Sequence, residues 1–240
     1  MNRDVGMTRT LRDISPEWSD TLYILITLPG DWLILVPLLA LLYLWDVGST
    51  LRRPNADGPL CTDRTVFVIA TVFGGLALVY LLKVVIGAPR PPEELHVVST
   101  ETDAVPSGHA MAATVFWGAL ALWLPVATRR LRFVVAVLVV GMVGFSRLGL
   151  GVHFLGDVVA GVGFGVVYLA IVALVVDERP ERALAVAFAI AAASVVMTGG
   201  QGRALLAFGG IVGLAVGWRV VESRPARRVL QKTVVPALQR

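Results

Sequence analysis

Cysteine and charged residues are the scarce components of this sequence. Cys61 is its only cysteine, which excludes an internal disulfide and a metal site built from cysteines. Charged residues make up 16% of the 240 residues, against about 25% in a typical soluble domain. Hydrophobic residues make up 56%, and the mean hydropathy is +0.77. This composition excludes an ordinary soluble protein and predicts an integral membrane protein.

A nucleic-acid partner is not indicated. The net charge is +4, but in a membrane protein the basic residues first report which side of the bilayer each loop occupies. No segment interleaves aromatic and basic residues as an RNA or DNA surface does. The sequence also lacks a repeat of fixed period and a long low-complexity linker, which favours a single membrane domain.

Long apolar runs, by contrast, are abundant. A transmembrane helix needs about 20 mostly apolar residues. We therefore predict an all-α fold, a polytopic transmembrane helix bundle of six to seven spans whose core carries the functional site. The runs that qualify are 31–46, 65–86, 107–124, 131–147, 154–176, 183–198 and 203–220.

The segment before the first run has a different character. Residues 7–28 are predicted to form an amphipathic or interfacial helix with a start at Ser15-Pro16-Glu17, or else to begin one long tilted first span. A cleaved signal peptide is not expected, because Pro29-Gly30-Asp31 interrupts the run without a small-residue cleavage site. We divide the chain into an N-terminal segment, a transmembrane core, an extra C-terminal transmembrane hairpin and a basic cytoplasmic tail, at 1–30, 31–176, 177–221 and 222–240.

The basic residues divide unevenly between the two sides of the membrane. If seven spans alternate, fourteen lysines and arginines share the side of the loops 47–64, 125–130 and 177–182 and of the C-terminal tail, and seven lie opposite. The positive-inside rule places the larger group in the cytoplasm. We therefore expect a multi-pass protein of the cell membrane with a cytoplasmic C-terminus.

Three short polar strings interrupt the apolar runs, each where a run meets a loop. They are 83–91 (KVVIGAPRP), 106–109 (PSGH) and 146–157 (SRLGLGVHFLGD). A charged side chain costs roughly 2.5 to 3.5 kcal/mol at the centre of a membrane helix, so such residues usually serve a function. The predicted topology puts all three strings on the extracytoplasmic face, where we expect them to form one site.

The first string supplies positive charge. Lys83 lies near the outer end of its run, and Arg90 follows seven residues later, after Gly87-Ala88-Pro89 has ended the helix. A guanidinium presents a planar fork to phosphate oxygens, and an ammonium presents a compact point charge. Taken alone, however, the pair fits a snorkelling lysine and a solvated arginine better than a site.

The second string opens a helix. Ser107 follows Pro106 and suits the N-cap, Gly108 permits a close backbone approach, and His109 points into the same space. Free N–H groups at a helix start bind anions. Because capped helix starts are common, this tetrapeptide alone is a weak indication of function.

The third string carries the strongest signal. His153 and Asp157 lie four residues apart, where a carboxylate can accept one imidazole N–H and leave the other nitrogen as a nucleophile or base. A pair kept only for packing would not need Arg147, Arg90 and Lys83 on the same face. The pattern therefore indicates chemistry on an anionic group.

In chain order the strings are Lys-x6-Arg-Pro, Pro-Ser-Gly-His and Ser-Arg-x5-His-x3-Asp, and this set resembles the signature of the type 2 phosphatidic acid phosphatase superfamily, which includes the vanadium haloperoxidases. The resemblance covers about residues 80 to 160 by motif. It implies phosphoryl transfer through a phosphohistidine, without a metal or another cofactor. The roles it implies are nucleophile for His153, orienting partner for Asp157, general acid for His109, and phosphate cradle for Lys83, Arg90, Arg147, Ser107 and the Gly108 N–H.

On this resemblance we expect a membrane lipid phosphatase acting on a phosphate or diphosphate headgroup. Polyprenyl diphosphate is slightly preferred to phosphatidate-type lipids and phosphatidylglycerol phosphate. The alternatives are a lipid phosphotransferase using the same histidine, a transporter or structural protein with a degenerate site, and a zinc hydrolase with His109, His153 and Asp157 as ligands. A vanadate-dependent peroxidase is disfavoured because the site lies at the lipid boundary.

Two other features remain outside this site. His96 and the acidic residues around it are expected to be solvated loop residues. Gly209, Gly213 and Gly217 form a small-residue stripe that permits close helix packing within the chain or, alternatively, a homodimer.

Overall fold

The computed structural model describes residues 6–52, 58–100 and 102–230. Within these ranges the chain forms α-helices and two short 3-10 turns, Leu28–Gly30 and Glu93–Leu95, and no strand. The α-helices are α1 Gly6–Ile14, α2 Trp18–Thr27, α3 Trp32–Leu51, α4 Asp63–Ile86, α5 Gly108–Trp123, α6 Arg129–Gly149, α7 Leu155–Val175, α8 Pro180–Met197 and α9 Gly202–Val221.

The predicted all-α membrane bundle is confirmed. Each of the seven predicted runs coincides with one helix, from α3 to α9, and their ends differ by at most five residues. Six stretches of the described chain are long and apolar enough to cross a membrane: Trp18–Leu51, which contains α2 and α3, and the helices α4, α6, α7, α8 and α9. The 16 residues of α5 are fewer than a full span requires, and α5 packs among α4, α6 and α7.

Helix α4 forms the centre of the bundle because it is apolar on every side. It packs against α5, α8 and α9, and also against α3 and α7. Phe67, Val68 and Leu76 are fully buried, and the ring of Phe67 meets that of Trp123 edge to face with centroids 4.9 Å apart. Lys83 lies in the last turn of this helix, so a cation stands at one end of the apolar core.

Helix α7 packs closely against the start of α5 because Gly161 has no side chain there. A Cβ atom added to Gly161 would lie 2.7 Å from the carbonyl oxygen of Ser107 and 3.2 Å from the backbone nitrogen of Met111. The backbone N–H of Ser107 donates a hydrogen bond of 2.9 Å to the carbonyl oxygen of Asp157. The second and third polar strings are thus joined through their backbones.

The N-terminal segment forms two helices, and the prediction of a single helix over 7–28 is wrong. Helix α1 ends at Ile14, and α2 begins at Trp18, without a side-chain cap from Glu17. Pro16 lies in the break, where its fixed φ and missing N–H separate the two helices. The alternative of one long first span agrees with the apolar stretch Trp18–Leu51, although Asp31 has an extended backbone (φ −91°, ψ 141°) that separates α2 from α3 within it.

Helices α1 and α2 pack on α6 and support the loop that precedes α7. The Thr8 hydroxyl donates a hydrogen bond of 3.0 Å to the carbonyl oxygen of His153. The guanidinium of Arg12 lies 2.6 Å from an Asp20 oxygen and donates to the carbonyl oxygen of Gly149 at 3.1 Å. The N-terminal segment therefore helps to hold the backbone on which the third string lies.

A hydrogen-bonded cluster closes the opposite end of the bundle. One carboxylate oxygen of Asp46 in α3 accepts from the backbone N–H and the hydroxyl of Thr62, at 2.7 and 2.9 Å. Glu222, just after α9, accepts from the backbone N–H of Cys61 at 2.9 Å and also pairs with Arg227. This cluster ties α3, α4 and α9 together and includes the start of the predicted basic tail, of which residues 231–240 lie outside the described ranges.

The glycine stripe of α9 is not used for close packing inside the described chain. No described atom lies within 4 Å of a Cβ added to Gly209, Gly213 or Gly217. Gly210, between them, makes the close contact instead, since an added Cβ would lie 2.4 Å from the ring of Phe73. The interpretation of the stripe as an internal packing surface is therefore wrong.

Candidate active site

A cavity of about 500 Å³ opens at the end of the bundle where α4 and α6 end and α3, α5 and α9 begin. All three polar strings contribute to its wall. Among its described lining residues, four cations face one carboxylate, so the cavity favours an anion. The charged residues and histidines of the lining are Asp31, Lys83, Arg90, His109, Arg147, His153 and Arg203.

His153 and Asp157 form a buried pair at the start of α7. The Nδ1 atom of His153 lies 3.3 Å from a carboxylate oxygen of Asp157, and both side chains are almost completely buried. The same carboxylate oxygen accepts from the backbone N–H of Phe154 at 2.9 Å. With its proton on Nδ1, His153 donates to Asp157 and keeps a lone pair on Nε2.

The Nε2 atom of His153 faces the cations of the cavity. It lies 3.2 Å from Nη1 of Arg90. Burial lowers the pKa of His153 well below 6.5, and the positive charges of Arg90, Arg147 and Lys83 lower it further. The imidazole is therefore neutral at pH 7, as a nitrogen nucleophile must be.

Arg90 is held in place by backbone carbonyl groups. Its Nε donates to the carbonyl oxygen of Thr102 at 2.7 Å, and its Nη1 donates to that of Val152 at 2.7 Å. Burial lowers the pKa of Arg90 below its ordinary value, while the charges of Asp157 and Asp103 act in the opposite direction. These contacts hold the Arg90 guanidinium beside Nε2 of His153.

Lys83 and Arg147 complete the cationic wall from two different helices. Both are only 5% exposed, which is rare for residues of these types. The Nζ of Lys83 donates to the carbonyl oxygen of Asp103, and Nη1 of Arg147 donates to the hydroxyl of Thr27 at 3.2 Å. Both acceptors are uncharged, so neither contact is an ion pair.

Two buried polar atoms near the cavity have no hydrogen-bond partner within the described residues: Nε of Arg147 and the hydroxyl oxygen of Ser107. A buried polar group without a partner costs about 1 to 3 kcal/mol. Such groups in a folded protein need an explanation. Arg147 lines the cavity, so an oxyanion there would supply an acceptor for its Nε, and Ser107 is buried beside the lining residue Gly108. The resemblance implies that both residues bind a phosphate.

The start of α5 lies as predicted, but Ser107 does not cap the helix with its side chain. It occupies the N-cap position with an extended backbone, and its hydroxyl makes no capping hydrogen bond. Gly108 lines the cavity, and a Cβ there would lie 3.6 Å from the side chain of Lys83. The Ser107 hydroxyl is thus not used by the helix, and the Gly108 backbone lies beside the lysine.

Asp31 is a site residue that the sequence analysis missed. Its carboxylate lies 3.0 Å from Nε2 of His109 and also accepts from the backbone N–H of Leu33 at 2.8 Å, which caps α3. The sequence signal was a carboxylate inside an apolar stretch. It was interpreted only as a break before the first span, because nothing local links it to a histidine 78 positions away.

Arg203 is the second missed residue. It lies at the second position of α9 and lines the cavity together with His109 and Tyr80. In the sequence it is the first residue of the run 203–220 and one of the seven basic residues counted on the side opposite the C-terminal tail. Arg203 reaches the cavity because α8 and α9 pack against α4, and no sequence motif predicts that packing.

The third histidine of the chain, His96, lies outside the cavity. Nε2 of His96 lies 3.0 Å from the carbonyl oxygen of Pro91, and His96 is a loop residue that does not line the cavity.

His109 pairs with Asp31 and His153 pairs with Asp157, so the two histidines belong to separate pairs. Among the described residues no group of three or more histidine, cysteine or acidic side chains has the arrangement of a metal site.

This chain is similar to known proteins in both sequence and structure. Residues 64–181 match the family model of the PAP2 superfamily. The structure is similar to the crystal structure of the first transmembrane PAP2 type phosphatidylglycerolphosphate phosphatase from Bacillus subtilis, with a TM-score of 0.58 and 26% identity over 72% of this chain and 84% of that chain. No curated protein matches. The resemblance drawn from the three strings is confirmed, and the matched segment contains all of them.

Proposed function

We propose that this protein, whose residues 64–181 match the family model of the PAP2 superfamily, is an integral membrane lipid phosphatase that hydrolyses a phosphate or diphosphate headgroup through a phosphohistidine at His153. One observation carries the proposal. A buried histidine, oriented by Asp157, turns its second nitrogen to within 3.2 Å of Arg90 in a cavity lined by three more cations. A nucleophile and an anion cradle on one wall are what phosphoryl transfer requires.

In the first step, Nε2 of His153 attacks the phosphorus atom of the headgroup. A P–N bond forms as the bond between phosphorus and the leaving oxygen breaks, and the electron pair of that bond goes to the oxygen. His109 donates a proton to this oxygen. Asp157 accepts the Nδ1–H of His153 and stabilises the positive charge that develops on the ring, as the carboxylate of a catalytic triad does.

The cradle holds the equatorial oxygens of the phosphoryl group. Lys83, Arg90 and Arg147 supply the charge, while the Ser107 hydroxyl and the Gly108 N–H supply uncharged donors. Because these groups are already held by helix ends and backbone carbonyls, they need little rearrangement in the transition state. Fixed cations of this kind can take the place of a metal ion, so we propose that the reaction needs none.

In the second step, water attacks the phosphohistidine. His109, now without its proton, accepts a proton from the water, the new P–O bond forms, and the P–N bond breaks. Inorganic phosphate leaves and His153 returns to its neutral form. Asp31, 3.0 Å from His109, orients that ring through both steps.

The same phosphohistidine could pass its phosphoryl group to a lipid alcohol, which would make the protein a transferase. The two activities differ only in the acceptor of the second step. Analysis of the products with an added lipid alcohol separates them, because a hydrolase releases inorganic phosphate in proportion to the substrate consumed.

The uneven distribution of basic residues supports an orientation with the cavity outside and the C-terminus in the cytoplasm of a cell membrane. A lipid headgroup in the outer leaflet would then lie level with the helix ends that form the cavity. Labelling of single engineered cysteines by a membrane-impermeant reagent in whole cells tests this orientation.

Homodimerisation through Gly209, Gly213 and Gly217 is also a proposal. The stripe is open, since no described atom would contact a Cβ added at these positions, and small residues allow two membrane helices to approach closely. Substitution of Gly213 by leucine would weaken such a dimer, so light scattering in detergent should report a lower mass for Gly213→Leu than for the wild-type protein. Equal masses for the two proteins would indicate that no such dimer exists.

A panel of lipid phosphates tests the proposed activity. We expect the purified protein, with a chelator present, to release phosphate from at least one of polyprenyl diphosphate, phosphatidate and phosphatidylglycerol phosphate. We expect His153→Ala to lower this rate by about a thousandfold or more, the loss typical of a catalytic nucleophile. His96→Ala, in a loop outside the cavity, is the matched control and should retain activity.

The size of the loss decides the assignment of the nucleophile. A decrease of less than about tenfold in His153→Ala, too small for loss of a covalent step, would exclude His153 in that role. A second variant, His153→Asn, retains a polar side chain at this buried position and guards against a loss that reflects misfolding. Size-exclusion profiles of both variants in detergent report whether they fold.

A further inference from the structure

We propose that Arg203 forms a leaving-group subsite and makes the protein selective for lipid diphosphates over lipid monophosphates. This inference rests on the proposed phosphatase function and names its substrate class. Arg203 lies at the start of α9, outside the segment that matches the PAP2 superfamily. The C-terminal hairpin would therefore add a specificity residue to the common catalytic core.

Arg203 lines the same cavity as His109, the proposed general acid. Its charge acts on Asp31 and His109, and its side chain approaches the hydroxyl of Tyr80. The charges that act on His153 come instead from Arg90, Arg147 and Lys83. Lys83 and Arg90 thus act on His153, Arg203 acts on Asp31 and His109, and Arg147 acts on both histidines.

The position of Arg203 matters because phosphoryl transfer is in line. His153 attacks from one side of the phosphorus atom, and the leaving oxygen departs on the other side, toward the residue that protonates it. His109 therefore marks the position of the leaving group. Arg203 lines the same cavity as His109 and belongs to none of the three strings, so it is a cation available to contact whatever is attached to that oxygen.

Lipid monophosphates and diphosphates differ in this leaving group. A monophosphate releases a lipid alcohol, which is neutral once His109 has protonated it. A diphosphate releases a lipid monophosphate: the bond from the terminal phosphorus atom to the bridging oxygen breaks, and the bridging oxygen keeps the electron pair. The leaving phosphate remains anionic, and an arginine can bind its oxygens through two parallel hydrogen bonds.

The position of Arg203 is not explained by helix stability. The N-terminus of a helix carries partial positive charge and favours acidic residues, so an arginine in the first turn is unfavourable there. The cavity of about 500 Å³ falls within the range of sites for small molecules and leaves room for a second phosphate group.

Substrates that share one lipid chain test the proposal. We would measure kcat/KM of Arg203→Gln for a polyprenyl diphosphate and for the corresponding monophosphate. For the diphosphate we expect a decrease of about tenfold or more, as for loss of a hydrogen bond to a charged group, and for the monophosphate a decrease of about twofold, as for loss of a distant screened charge. Arg203→Lys should recover part of the diphosphate activity.

Arg219→Gln is the matched control, because it removes an arginine from the other end of the same helix. It should leave both rates near those of the wild-type protein. Equal decreases for the two substrates in Arg203→Gln, or an unchanged rate for the diphosphate, would overturn the subsite. These outcomes differ from those that would exclude the proposed phosphatase function. That function is excluded if the wild-type protein releases phosphate from neither lipid, or if His153→Ala remains active.

Discussion

The two ring nitrogens of His153 have separate environments. Nδ1 faces the buried carboxylate of Asp157, and Nε2 faces Arg90. Burial and three neighbouring cations hold the pKa of this imidazole well below 6.5. The ring therefore remains neutral, as the proposed nucleophile must be, under conditions in which an exposed histidine would be protonated.

This environment predicts the pH dependence of the reaction. Protonation of His153 removes the nucleophile, so activity is lost as the pH falls through the pKa of His153. Because that pKa is lowered, we expect the acid limb of kcat/KM to lie below pH 6.5. In Arg90→Gln a neighbouring cation is removed, so the pKa of His153 rises and the acid limb moves to higher pH. A profile of kcat/KM against pH reports these groups in the free enzyme.

Arg90→Lys is the control for this prediction. It keeps the positive charge but loses the planar fork, so its rate should fall while its acid limb stays nearer to that of the wild-type protein. An acid limb that does not move in Arg90→Gln would contradict the assignment of the limb to His153.

Contacts between residues that are close in the sequence could be predicted, and contacts between distant residues could not. His153 and Asp157 are four positions apart, so their pairing follows from the chain itself. His109 and Asp31 are 78 positions apart, and they meet only because Gly30 and Asp31 pack against the start of α5. Arg203 was missed for the same reason.

Among the elements, the pairing of α5 with α7 positions the site most directly. Gly161 allows α7 to contact the backbone at Ser107, and the Ser107 N–H bonds to the carbonyl oxygen of Asp157. The proposed cradle and the partner of the proposed nucleophile are thus parts of one helix contact. Separation of the two helices would disturb both.

Gly161→Ala tests this contact. The added Cβ would lie 2.7 Å from the Ser107 carbonyl oxygen, so α7 must shift, and overpacking of this kind costs typically about 1 to 3 kcal/mol. We expect a lower temperature of half-inactivation in detergent and a lower kcat. Gly163→Ala is the matched control on the same helix, because no described atom lies within 4 Å of its added Cβ. Indistinguishable melting of the two variants would contradict the proposed role of the contact.

Seven of the helices could be predicted because apolar length is a property of the sequence alone. The break between α1 and α2 was missed, although Pro16 marked it, because the proline was assigned to the first turn of a helix. Packing partners could not be predicted. The sequence contains no signal that α4 contacts α8 and α9 as well as α5, and it is this arrangement that brings Arg203 to the cavity.

At the scale of the whole molecule, the cavity lies at one end of the bundle, and the Asp46, Thr62, Cys61 and Glu222 cluster closes the other end. The sequence predicted that the three strings would meet, because alternating spans return them to the same face. It did not predict the shape of the cavity or the arginine that α9 adds to it.

Detection of a phosphohistidine tests the account most directly. The protein would be mixed with a lipid substrate carrying a ³²P-labelled terminal phosphate, quenched with alkali during turnover, and digested for peptide mapping. Because His153 is proposed to form the P–N bond, we predict alkali-stable, acid-labile label on the peptide that contains His153, and none in His153→Ala. Label on a different residue, or rapid turnover with no labelled histidine at any quench time, would contradict the account.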